Sequence, residues 1–359
     1  MHSVVSLSSA AAGRRKRRRG NGAPVIVCGI ENPATGTAPA RVAATLAKRL
    51  AGRLVLLHSQ PLPLIVSEPE IAFAAPRLDV AQDVRDAARG LAQLAARAGV
   101  PASTEVRLTY GDQADRLLAA ARSDAASFIV MGAQRHRPRQ CAFTSSPTVR
   151  VIADAPCPVF VLPPAPGSDG VDPTTGWGQQ PMAVTRKDGD AGSITSTGGA
   201  DVTSSIVCGV DGSSDARAAL RVAAQLSGQL GLRLVIAHVV QAAMLPGRVP
   251  AGRMPLMTEP IDAEIREGEK LLEQIVSNEG LGDAHRRVAY GFPAERLADL
   301  ADEEEAELII VGSRGRGAFK AAFLGSVSND LIGVARCPVL VVPPAAAAIK
   351  QPQVFDRQN

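Results

Sequence analysis

Aromatic residues are scarce in this chain, with one Trp, two Tyr and eight Phe among 359 residues. A core without large rings has to be assembled from Ala, Val and Leu, which suits helices packed on a parallel sheet. Cysteine is limited to five residues, with no C-x-x-C pair and no His/Cys cluster, so neither a disulfide framework nor a thiolate metal site is expected. Cys28 and Cys208 take equivalent strand positions, as do Cys157 and Cys337, where a thiol packs as a small hydrophobe; Cys141 stands alone in a loop. No run of about 18 or more uncharged apolar residues occurs, so a membrane-spanning helix is not expected. The glycines are not followed by Gly-Lys-Ser/Thr, so the Walker A pattern is absent as well.

Positive charge is thinner than the formal +4 suggests. Arg14, Arg15, Lys16, Arg17, Arg18 and Arg19 supply six charges ahead of the first strand, and removing them from +4 leaves −2. A body that is not basic counts against a nucleic-acid-binding protein. The basic run is followed by the polar pair Asn21-Gly22 and a core strand, not by the apolar region of about 7–15 residues that a secretory signal requires. Residues 1–23 therefore read as a disordered, solvated arm and the chain as cytoplasmic, with loose attraction to nucleic acid or anionic lipid as the alternative role for the arm.

An internal repeat runs through the rest at an offset of 180 residues. Val27-Cys28-Gly29-Ile30 recurs as Val207-Cys208-Gly209-Val210, Tyr110-Gly111 as Tyr290-Gly291, and Cys157-Pro158-Val159 as Cys337-Pro338-Val339. This period is too long for a solenoid and fits a duplicated domain. The expected division is a tail at 1–23, one domain at 24–163, a Pro/Gly/Ser/Thr-rich linker at 164–203, a second domain at 204–344 and a C-terminal tail at 345–359. Short β-branched runs alternate with helical segments in each copy, predicting an α/β fold: two doubly wound, five-stranded parallel sheets with right-handed crossovers. Ligands in such sheets bind at the carboxyl ends of the strands, at the topological switch point.

The most informative stretch is Ile309-Ile310-Val311-Gly312-Ser313-Arg314-Gly315-Arg316-Gly317, followed by Leu324-Gly325-Ser326-Val327-Ser328. It reads as a buried strand, a glycine turn and a helix start, with Ser326 at the N-cap. Glycines let backbone approach an anion, and the unpaired amides of a helix N-terminus supply donors. The order Gly312, Gly315, Gly325, Ser326 resembles the nucleotide loop of the universal stress protein family, in its ATP-binding branch. That resemblance covers both copies and implies a Rossmann-like fold of the adenine nucleotide alpha hydrolase type, with ATP as ligand and magnesium arriving on its phosphates. It also implies that the fifth strands of the two copies meet across a pseudo-twofold axis.

By the same resemblance, Gly209, Val210 and Asp211 close the first strand beside the nucleoside, with Asp211 accepting hydrogen bonds from it. The backbone of Val239 pairs with the adenine edge and Gly291 gives the third-strand turn a close approach. Val311, Gly312, Gly315, Gly325, Ser326 and Val327 line the phosphates, with Arg314, Arg316 and Lys320 as charge partners. Read from the residues alone, Asp211 could instead make an Asx turn or cap the next helix, and His58 and His238 are structural. The first copy departs at these places: Glu31 replaces Asp211, Ser59 replaces Val239, Arg135 replaces Gly315, and Ser145-Ser146 replaces Gly325-Ser326. One nucleotide per chain is expected, in the second copy.

The function expected is a nucleotide-dependent stress-response regulator. The alternatives are a slow ATP hydrolase, a cyclic-nucleotide-binding protein, and an interaction module without a ligand. No catalytic residue or metal ligand is assigned. The partners expected are an adenine nucleotide, the other domain of the same chain and a further copy in a homodimer, with no membrane and no nucleic acid.

Overall fold

The computed structural model describes residues 5–6, 23–61, 80–133, 146–164, 204–241, 259–315 and 324–347. The first repeat runs β2 (Val25–Ile30), α1 (Thr37–Arg49), β3 (Arg53–Gln60), α2 (Val80–Arg97), β4 (Glu105–Tyr110), α3 (Gln113–Ser123), β5 (Phe128–Gly132), α4 (Pro147–Asp154) and β6 (Val159–Leu162), preceded by the two-residue strand β1 (Val5–Ser6). The second runs β7 (Ser205–Gly209), α5 (Ser214–Leu230), β8 (Arg233–Gln241), α6 (Glu259–Asn278), β9 (His285–Gly291), α7 (Pro293–Glu303), β10 (Ala306–Gly312), α8 (Ser326–Val334) and β11 (Val339–Val342), followed by α9 (Pro344–Ala347). The alternation of strands and helices expected in each copy is present. Cys157 and Cys337, expected in strands, lie just before them: the fifth strands begin after Pro158 and Pro338, because proline has no N–H for a ladder. Within the arm expected to be disordered, Val5–Ser6 pairs antiparallel with β4.

The eleven strands among the described residues form one sheet in the order β1-β4-β3-β2-β5-β6-β11-β10-β7-β8-β9. Pairing is parallel within each repeat, and β6 meets β11 antiparallel with Leu340 opposite Phe160. This is the meeting of fifth strands implied by the resemblance. Alternation along each strand divides the core between two faces. Ile26, Cys28, Ile30, Leu308 and Ile310 point to the face covered by α1, α2, α5 and α6, whereas Val27, Ile309 and Val311 point to the face covered by α3, α4, α7 and α8. Burial on both sides explains why these strands are apolar throughout. Both helical layers continue across the join, and Phe160, fully buried, stacks edge to face on Phe128 with centroids 5.6 Å apart.

An interdomain clip at the end of α1 has no counterpart at the equivalent positions of the other repeat. Arg49, at the end of α1, donates to Glu307 Oε2 and to the Leu230 carbonyl, each at 2.7 Å. The positions 180 residues away are Gln229 and Ser127, which cannot reproduce it. One polar cluster is duplicated: Arg53 and Arg107 surround Glu105 and Asp124 in the first repeat, and Arg233 and Arg287 surround Glu304 in the second. The histidines hold strand ends together, as expected: His58 and His238 donate from Nδ1 to the carbonyls of Ile30 and Val210, both at 2.7 Å. Cys28, Cys157, Cys208 and Cys337 are free thiols; burial pushes Cys157 and Cys337 up to about 12 and Cys28 and Cys208 higher. Among the described residues no helix is long and apolar enough to cross a membrane.

Candidate functional site

The C-terminal ends of β7 and β10 lie side by side in the middle of the second repeat, and two turns leave the sheet there. After β7 the chain turns through Asp211 and Gly212, which takes a φ of +83° that a side chain would strain. Asp211 Oδ1 accepts from the Ser213 amide at 2.9 Å, forming an Asx turn. The cap of α5 is Ser213, whose hydroxyl accepts from the Ala216 amide at 3.1 Å. Asp211 therefore does not cap α5, and its carboxylate is held at the mouth of the site.

After β10 the loop is clipped at both ends. The Gly325 amide donates to the Ser313 carbonyl at 2.7 Å, joining the end of the loop to its beginning. Ser313 Oγ donates to Asp215 Oδ2 at 3.2 Å and Ser213 Oγ to the Arg314 carbonyl at 3.4 Å, which fastens the loop to the first turn of α5. Ser328 Oγ, buried, donates to the Gly312 carbonyl at 2.7 Å and anchors α8 on the strand it follows.

The glycines divide by what a side chain would meet. A Cβ on Gly312 would stand 2.7 Å from the Asp215 carbonyl carbon, and one on Gly209 would meet Leu297 at 2.9 Å, so both are required by packing. A Cβ on Gly315 would lie 2.6 Å from Asp211 Oδ2, placing this glycine directly against the carboxylate. At Gly325 the nearest atom would be the Ser313 carbonyl oxygen at 3.2 Å. Gly291 has a φ of +143° and faces the aliphatic part of Arg296.

The N-cap of α8 is Gly325, not Ser326 as the sequence suggested, and no side chain caps this helix. Ser326 is the exposed first helical residue. The first-turn amides have no intrahelical acceptor, and the turn contains no acidic residue. An anion there interacts with unpaired donors and with the positive end of the helix dipole, worth about 0.3–1 kcal/mol at an exposed site and up to ~2 kcal/mol when partly enclosed.

Asp211, Gly315, Gly325, Ser326 and the Arg314 backbone are thus brought together. Val210 and Val311 are buried, so only their backbones could face a ligand, and Val239 is half-buried near the end of β8. Arg314 is half-buried with its Nε enclosed and without a hydrogen-bond partner among the described residues. Arg316 and Lys320 lie outside the described residues, as do Arg135, Ser145 and Cys141 of the first repeat. Ser213, Ser313, Asp215 and Ser328 were not singled out in the sequence; the Ser213-Ser214-Asp215 run after Gly212 was the available signal for the cap.

The matching place in the first repeat is built differently. Helix α4 begins with Pro147 after Ser146, and proline removes one of the first-turn amides. Thr148, at the position of Ser328, has a buried hydroxyl with no partner among the described residues. Among the described residues a Cβ on Gly132 would touch only Pro39, at 3.4 Å, without the close strand-to-helix approach seen at Gly312. Ser59, at the position of Val239, donates to the Gly111 carbonyl at 2.8 Å. A broad depression lined by Arg233, Gly280 and His285 lies by the starts of β8 and β9, at the opposite end of the second-repeat strands from the β7 and β10 turns.

Comparison with known proteins returns one family, described as the universal stress protein family, whose model matches residues 24–163 and again 203–343. A universal stress protein of Thermus aquaticus, encoded in the QAH/OAS sulfhydrylase 3′ region, is 31% identical over 137 residues, covering 38% of this chain and 96% of that protein. Universal stress protein YxiE of Bacillus subtilis is 35% identical over 141 residues, covering 37% and 94%. Over nearly the whole chain the fold resembles a crystal structure of a putative universal stress protein from Pseudomonas aeruginosa, with a TM-score of 0.52 at 16% identity, covering 91% of this chain and 95% of that one. A universal stress protein structure from Archaeoglobus fulgidus also gives 0.52, at 19% identity, covering 90% and 97%.

Proposed function

This chain belongs to the universal stress protein family, and we propose that it binds ATP in its second repeat and acts in the cytoplasm as a nucleotide-dependent regulator of the stress response. The observation that carries this reading is the uncapped start of α8, held by the Gly325–Ser313 clip beside Gly315 and the Asp211 carboxylate. The amides of Ser326 and Val327 and the backbone of Gly315 are the donors for phosphate, with Arg314 as a nearby cation. Asp211 receives a ribose hydroxyl, and the Val239 backbone meets the adenine edge. Magnesium enters with the phosphates and supplies charge neutralisation there.

Occupancy acts by differential affinity. A ligand bridging the β7 and β10 turns favours the conformation in which those turns are clipped, and no turnover is needed for it to shift that population. A single site per chain is supported by Pro147 and the other departures of the first repeat.

Isothermal titration with ATP, AMP and cyclic AMP tests the reading. The native chain should bind ATP at one site, and Gly325→Val should lose that binding while keeping its circular dichroism, since the Gly325 backbone at φ −69°, ψ 152° is open to any residue. Equal heats for both proteins would remove the phosphate site from α8. A tighter response to cyclic AMP would move the proposal to that ligand, and measurable ATP turnover would move it to hydrolysis.

A further inference from the structure

The two outer parallel strands of the molecule are equivalent in sequence but differ in what covers them. Arg107-Leu108-Thr109-Tyr110-Gly111 closes β4, and Arg287-Val288-Ala289-Tyr290-Gly291 closes β9, 180 residues later. The outer side of β4 is paired with Val5–Ser6, Val5 opposite Leu108 and Ser6 opposite Arg107. Strand β9 ends the sheet, and among the described residues nothing pairs with its outer side. Backbone donors and acceptors on that side form a template for one more strand.

We propose that β9 receives the Val5–Ser6 arm of a second copy of this chain, so that two copies exchange arms. The arm already pairs with the equivalent strand within its own chain, and main-chain pairing does not depend on the side chains, which differ between β4 and β9 at four of the six β4 positions. Charge separates the two places. Helix α2, packed beside β4, carries Arg85, Arg89 and Arg97 against Asp83 and Asp86, whereas α6, packed beside β9, carries five acidic residues from Asp262 to Glu273 against Arg266 and Lys270. The basic run starts at Arg14, eight residues after Ser6, a distance of at most about 26–29 Å when extended, comparable with the roughly 30 Å length of α6. An arm paired with β9 therefore places six positive charges within reach of an acidic helix, which its place on β4 does not offer. Reciprocal exchange closes a twofold dimer. This inference does not depend on nucleotide binding.

The test mixes two full-length variants, both also carrying Cys141→Ser. One has Ser6→Cys and the other Arg287→Cys, residues that the equivalent register places opposite each other, with Cβ atoms about 4.5–5.5 Å apart. Mild oxidation should link the two different chains covalently, and added salt should reduce the yield. In sedimentation velocity the native chain should shift from monomer to dimer with concentration, and the double variant Val5→Pro/Ser6→Pro should stay monomeric. Successive amides point to opposite sides of a strand, so one of the two prolines necessarily removes a pairing donor. Absence of the interchain link, or a dimer that survives both prolines, would overturn the proposal.

Discussion

Substituting Gly315 by alanine separates site geometry from fold stability. The new methyl group would stand 2.6 Å from Asp211 Oδ2, about 1 Å inside ordinary contact, so the carboxylate has to rotate away. Rotation breaks the hydrogen bond from the Ser213 amide to Oδ1, now 2.9 Å, and withdraws the acceptor assigned to the nucleoside. A hydrogen bond to a charged group is worth about 1.5–3 kcal/mol, and partial exposure of this aspartate puts the loss at the low end. About 1.4 kcal/mol corresponds to tenfold in affinity, so ATP should bind roughly ten times more weakly. Gly315 itself is exposed, so beyond the broken Ser213–Asp211 bond, about 1–1.5 kcal/mol, the fold loses little and the thermal midpoint without nucleotide should fall by only about 2–6 °C. Calorimetric titration and a melting curve on the same preparation read both quantities. Unchanged affinity would refute the role given to Asp211, and a large fall in the midpoint would show that Gly315 is a structural glycine like Gly312.

Arg49→Ala removes the hydrogen bonds to Glu307 and to the Leu230 carbonyl, both donated by the charged guanidinium at a half-buried site, and should lower unfolding stability by about 1–3 kcal/mol, read from the urea midpoint. Glu304 is nearly enclosed; burial alone would raise its pKa, but hydrogen bonding and charge from Arg233, with His285 and Arg287 nearby, hold it below the ordinary glutamate range. A carboxylate with a depressed folded pKa contributes stability above its unfolded value, about 4.3, and loses that contribution as pH falls through the folded value. Glu304→Gln should therefore destabilise the protein at pH 7 and flatten the acid side of its stability profile, measured by urea unfolding from pH 7 to pH 3.

The duplication and the layered fold were legible because backbone periodicity is written in each residue. Val207 and Cys208 must face opposite layers, and a strand buried on both sides has to be apolar at every position. The glycine spacing placed the second-repeat loop correctly at the carboxyl end of β10. What could not be read was the purpose of each glycine. Gly209 and Gly312 look like ligand glycines in the sequence, yet their missing side chains are required by Leu297 and by the backbone of α5, contacts across long sequence separations. The cap of α8 was misplaced by one residue because a serine after glycine looks like an N-cap. The clip from the Gly325 amide to Ser313 O makes Gly325 the cap and starts the helix one residue earlier. Pro147 stood in plain view, and its meaning appeared only when α4 was set beside α8.

The central claim is that one repeat binds an adenine nucleotide and the other does not. Mass spectrometry of the native chain under gentle ionisation, titrated with ATP and magnesium, counts the nucleotides on each molecule. The account predicts saturation at a single adduct, lost in Gly325→Val. Two adducts per chain, or none at saturating ATP, would contradict it.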